Sequence, residues 1–163
     1  MTKDNDDKIL AGILGGLVGL LAASPKIEDK QDLEKYRQFK AEVQTRQNRV
    51  GDLPNISKLL GSQYYNAFVE SYRMFLFGFY RGTVILSAAI IENLLKDKYG
   101  EKNFKELIEE AKEKNLVNQT EYHLLHALRN ERNPSAHDVL KEVKEDDAIL
   151  VIRITNRLMH KFV

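Results

Sequence analysis

The stretch V-I-L-S-A-A-I-I-E-N-L-L, residues 84–95, decides the fold class. Only Ser87, Glu92 and Asn93 interrupt its apolar character. A helix apolar on nearly every side must be enclosed by other elements, so the stretch reads as the buried central helix of a bundle. Gly78 and Gly82 before it mark a kink or a helix junction, and Gly100 after it is a helix stop.

Working outward, both flanks are helical. From about residue 60, the rings of Tyr64, Tyr65, Phe68, Tyr72, Phe75, Phe77, Phe79 and Tyr80 recur at helical spacing. That spacing makes them core rather than a stacking platform for bases. Downstream, Phe104, Leu107, Ile108 and Ala111 give an i, i+3, i+4, i+7 stripe. Asn118 or Thr120 caps the next helix, whose inner face is Leu124, Leu125, Ala127 and Leu128. Glu145, Asp146 and Asp147 form an acidic start to a last helix, A-I-L-V-I-R-I-T-N-R-L-M-H-K-F. Residues 149–154 also suit a strand, but no partner strand is evident, and helix is the better reading. The expectation is an all-α bundle of four to five helices over residues 56–163.

Two further segments precede it. The polar start MTKDNDDK leads into I-L-A-G-I-L-G-G-L-V-G-L-L-A-A-S, residues 9–24, which carries no charge and is stopped by Pro25. The acidic residues Asp4, Asp6 and Asp7 are wrong for a secretory signal. A helix of this length spans about 24 Å, short of the roughly 30 Å hydrocarbon core. Gly12/Gly16 and Gly15/Gly19 have the G-x-x-x-G spacing of close helix pairs. Residues 1–25 are therefore a packing helix or a short membrane anchor, and the protein is cytoplasmic or, in the second case, membrane-associated through residues 9–24. Residues 28–50 carry Leu33, Tyr36, Phe39, Val43 and Val50 among many charges, as an amphipathic, well-solvated helix does. Gly51-Asp-Leu-Pro-Asn55 is a linker. The expected segments are thus 1–25, 26–55 and 56–163.

Composition closes several routes. Lys and Arg total 25 against 24 Asp and Glu, so no global basic field holds nucleic acid. The absence of cysteine removes disulfides, thiolate zinc sites and cysteine nucleophiles. His123 and His126 are three apart but lack a third ligand in sequence, so no metal and no cofactor is expected. Glycine patterns for nucleotide phosphates and a serine nucleophile elbow are absent too.

One cluster stands out: Arg129-Asn-Glu-Arg132-Asn133-Pro134-Ser135-Ala136-His137-Asp138. Pro134 disfavours helix geometry at Asn133, so polar groups gather at a helix break. A guanidinium fork beside a titratable imidazole suits a phosphodiester: arginine neutralises charge on the phosphorus oxygens and histidine moves a proton near neutral pH. The structural alternative is that Arg132 pairs with Glu131 or Asp138, Asn133 caps a helix end and His137 packs.

Arg132-Asn133-Pro134-Ser135-Ala136-His137 resembles the R-N-x-x-x-H form of the Arg-x(4–6)-His motif of the HEPN family. Ser87–Lys96 resembles that family's alanine-rich second helix, Phe104–Val117 a later helix, and Leu124–His137 the helix that delivers the motif. The likeness covers roughly residues 60–163. Arg153 and His160 also fit the loose spacing, but without the asparagine or a helix break. The resemblance implies a HEPN-like helical bundle, a homodimer, and metal-independent cleavage of RNA in toxin–antitoxin, antiviral-defence or RNA-processing settings. His137 would transfer the proton, Arg132 stabilise the phosphorane and Asn133 orient motif or phosphate. Arg129 and Ser135 would contact substrate, and an antitoxin or regulatory protein is a candidate partner. The alternative is a non-catalytic module binding a nucleotide, RNA or protein. Glu92 is a candidate partner for a motif arginine.

Overall fold

The computed structural model describes residues 30–51, 62–132 and 142–162. Among them every regular element is an α-helix: α1 (Lys30–Val50), α2 (Ser62–Leu76), α3 (Tyr80–Tyr99), α4 (Phe104–Glu113), α5 (Gln119–Arg132) and α6 (Glu145–Lys161). The protein is all-α, and residues 149–154 are helix. The chain divides into two compact units, Met1–Asn48 and Arg49–Val163. The first unit holds most of α1, where Leu33 and Phe39 are exposed as a solvated amphipathic helix predicts. Residues 1–29 and 52–61, and with them the Gly-rich run and most of the linker, lie outside the described residues.

In the second unit α3 is central, packing against α2, α4, α5 and α6. Its buried set is Thr83, Val84, Ser87, Ala88, Ile90, Ile91, Leu94 and Leu95. The inner side against α2 carries small polar residues. Ser71 Oγ lies 2.7 Å from Ser87 Oγ and donates to Thr83 O at 3.2 Å, while Thr83 Oγ1 donates to Phe79 O at 3.0 Å. Small side chains let the two helices approach closely, and mutual bonding offsets the cost of burying hydroxyls. Phe68 and Phe75 of α2 are fully buried, with Tyr65 and Tyr72 nearly so. Of the other predicted core rings, Tyr64, Phe77 and Tyr80 are half-buried and Phe79 is 65% exposed.

Gly78 is the helix junction, with φ +83° where side chains are strained, whereas Gly82 sits one turn inside α3. A Cβ at Gly82 would meet Met74 Sδ at 3.1 Å. Gly100 ends α3 at φ +84°, its N–H donating to Lys96 O at 2.7 Å. The predicted stripe of α4 is buried in full. Of the four apolar residues predicted for the inner face of α5, Leu125 and Leu128 are buried, whereas Leu124 is half-buried and Ala127 exposed, because the helix turns just one narrow face to its neighbours. At the start of α6, Asp147 accepts the Lys144 N–H at 3.2 Å, and Glu145 and Asp146 pair with Arg49, as an acidic first turn should allow.

Two measurements check this packing. Phe75→Ala removes a ring with no exposed surface and should cost about 3–5 kcal/mol in urea unfolding. Tyr64 donates to Asp97, and burial first, then that bond, pushes its phenol up to about 12. An unfolded tyrosine ionises near ~10. The neutral phenol's contribution is therefore complete below that pH and lost as pH rises through the folded value. Tyr64→Phe should lower the melting temperature at neutral pH, where that contribution is present, and flatten the alkaline limb of the profile.

Candidate functional site

α5 delivers the motif, and its start is firmly built. Asn118 Oδ1 accepts the Glu121 N–H at 2.9 Å, while Glu121 returns a carboxylate to the Asn118 N–H at 2.8 Å. This is a reciprocal capping box that satisfies two N–H groups at once. Of the two expected caps, Asn118 is the one used. Glu121 is also buried and paired with the Arg157 guanidinium of α6. Arg157 and Lys161 donate to Leu116 O at 3.4 and 3.1 Å, fixing the turn between α4 and α5.

The other end of α5 is Arg132, the first motif residue. Asn133, Pro134, Ser135 and His137 lie outside the described residues, as does all of 133–141. Arg129, one turn before, is half-buried and donates to Asn130 Oδ1 at 3.0 Å. Against the middle of the helix lies a cavity of about 130 Å³ lined by Val84, Leu124, Ala127, Leu128, Val143 and Val151, with Glu142 and Asp147 also on its wall. Leu124, only half-buried against the bundle, finds its place here. Glu142 and Val143 also line a more open cleft of about 660 Å³ with Met74, Phe79 and Arg81. Sequence reading missed both hollows, because residues of α2, α3, α5 and the approach to α6 form them jointly. Glu92 is half-buried with Lys96 Nζ 3.4 Å from its carboxylate.

The remaining histidines are occupied elsewhere. Tyr122 donates to Glu109 at 3.0 Å, which raises its phenol pKa, first through that bond and then through desolvation. His126 stacks edge-on against Tyr122, with Nε2 3.3 Å from Glu109 Oε1 but off the line of a hydrogen bond. The Gln119 amide reaches His123 Nε2 at 2.7 Å. Both imidazoles thus serve α4, α5 and their surface, and no group of three metal-binding side chains occurs among the described residues. Arg153 and His160 stand two turns apart on the exposed side of α6, and Arg153 donates to Arg49 O at 3.1 Å. That arginine has a structural bond, and the pair sits on an unbroken helix.

A family model, Domain of unknown function (DUF4145), matches residues 69–163. The chain belongs to this family. No curated protein and no solved structure matches it. The DUF4145 region takes in most of α2 and all of α3 to α6, so the capping box, both hollows and Arg132–His137 fall inside it. Residues 1–68, including α1, lie outside the match. Among the described residues no helix is long and apolar enough to cross a membrane, and residues 9–24 are not among them.

Asn118→Ala should cost about 1 kcal/mol, the usual loss for a polar cap. Thermal unfolding reads the loss, and hydrogen exchange should show it concentrated in the first turn of α5.

Proposed function

We propose that this DUF4145 protein is a HEPN-type, metal-independent endoribonuclease acting as a homodimer. The observation that carries the reading is the R-N-x-x-x-H sequence itself, which begins at Arg132, the last described residue of α5 in an all-α bundle, and lies within the region that the DUF4145 model matches. A second support is by elimination: His123 is engaged with Gln119 of its own helix, His126 with Glu109 of α4, and Arg153 with Arg49. His137 is five residues from both Arg132 and Glu142, so the extended chain limits it to about 18 Å from either.

The chemistry needs no metal because RNA carries its own nucleophile. A base takes the 2′-hydroxyl proton, the oxygen attacks the adjacent phosphorus, and the bond to the 5′-oxygen breaks as an acid protonates it. The products are a 2′,3′-cyclic phosphate and a 5′-hydroxyl. Arg132 neutralises the added charge on the phosphorane, and Asn133 orients the motif or the phosphate. Arg129 and Ser135 contact the substrate. One imidazole cannot serve as base and acid in the same step, so His137 from each of two copies fills the two roles.

A second reading, a non-catalytic module that binds RNA, a nucleotide or a regulatory protein, has one observation in its favour. The hollows beside α5 carry Glu142 and Asp147 as well as Arg81, so they offer no strongly basic track for RNA. Incubation of the purified chain with single-stranded RNA in EDTA separates the two. The endoribonuclease reading expects cleavage, and a loss of about 10²–10⁴-fold for His137→Ala, the usual weight of acid–base catalysis. Arg132→Ala should lower the rate similarly, while Arg153→Ala and His160→Ala should not. Cleavage that persists in both motif variants sinks the proposal; binding without turnover favours the module.

A further inference from the structure

Buried side chains from three helices form the base of the cavity against α5: Val84 of α3, Leu128 of α5 and Val151 of α6. Its rim is different in kind. Ala127, Glu142 and Asp147 also line it and are exposed, so the cavity opens to solvent as a cup with an apolar base. Its volume of about 130 Å³ is close to that of an engineered apolar void of about 150 Å³ that admits benzene. Pockets for drug-sized ligands are larger, at roughly 300–1,000 Å³.

The charge on this cup has one sign. Glu142 and Asp147 are on its wall, and no Lys, Arg or His is among the described residues that line it. Glu142 makes no hydrogen bond or ion pair with another described residue. Asp147 accepts the Lys144 N–H through Oδ2 at 3.2 Å, which leaves Oδ1 for another donor. Those features select an occupant. Water hydrates the carboxylates but gains nothing from the apolar base. A phosphate or an RNA strand meets two like charges. A protein anchor needs an apolar surround, and none of the large exposed apolar side chains among the described residues lines the cup. A small organic cation satisfies both parts, with hydrocarbon on the base and an ammonium group at the acidic rim.

We infer that this cup is a binding site for a small primary ammonium compound whose hydrocarbon part is about the size of a benzene ring. Filling it adds contacts to α3, α5 and α6 at once, so binding stabilises the seat of α5, the helix whose last described residue is Arg132. The inference goes beyond the endoribonuclease reading and stands without it, since the support is the cup and its carboxylates and not the motif.

Methyl NMR of the full chain at about pH 7, where an alkyl amine is charged, tests the site. Three probes share one ring and differ in charge: benzylammonium, benzyl alcohol and benzoate. Benzylammonium should shift the Val84, Leu128 and Val151 methyls saturably at low millimolar concentration and raise the melting temperature. It should bind at least about threefold tighter than benzyl alcohol at low salt, and added salt should erode that margin. Benzoate should leave those methyls unmoved. Glu142→Gln and Asp147→Asn in one chain should remove the preference for the amine while the alcohol still binds. Both residues are exposed, and the amide at 147 keeps an oxygen for the Lys144 N–H, so the fold is retained. Val143→Phe, on the wall, should fill the cup and abolish binding of amine and alcohol alike. Methyls that do not move, alcohol or benzoate binding as tightly as the amine, a preference that survives the double variant, or amine binding unaffected by Val143→Phe overturns the site. A chain that binds benzylammonium in this way but never cuts RNA supports the site while overturning the endoribonuclease reading.

Discussion

The close approach of α2 and α3 is the contact on which the rest of the second unit depends. Ser71, Thr83, Ser87 and Ala88 are all fully buried, and the Thr83 hydroxyl reaches Ser71 O at 3.4 Å across the contact. Their hydroxyls bond to one another and to backbone oxygens, so burial leaves them satisfied. With α2 seated, α3 still has apolar surface for α4, α5 and α6. A helix apolar on one stripe alone would support a single neighbour; this one supports four.

From that centre the position of α5 follows through a chain of ordinary interactions. Asn118 and Glu121 cap α5, Arg157 ties Glu121 to α6, and Leu125 and Leu128 seat the helix in the core. Arg132 is the last described residue of this helix, whose start and inner face are thereby fixed. None of these supporting groups belongs to the motif.

The readable features were those with a local cause. The stripe of α4, the stop at Gly100, the cap at Asn118 and the acidic start of α6 each depend on residues within about two turns of one another, and each was legible in sequence. Gly82 was not, because its role is to make room for Met74 of another helix. Leu124 and Ala127 were assigned to the inner face of α5, yet they line a cavity or lie exposed, since apolar type alone does not say how wide a buried face will be. Phe79 was grouped with core rings because its spacing matched theirs; the turn at Gly78 points it away from them.

The sequence by itself determined that the protein is helical and which helix is central. Those properties follow from composition and periodicity, which are written along the chain. Tertiary structure alone decided that His123, His126 and Arg153 have partners at the helix surfaces and that Leu124 and Leu128 line a cavity shared with α3 and α6. It also decided that Phe79 stands outside the core that its neighbouring rings build. The reason is physical: a side chain's partners, and the space beside it, are set by residues far away in the chain that only folding brings near.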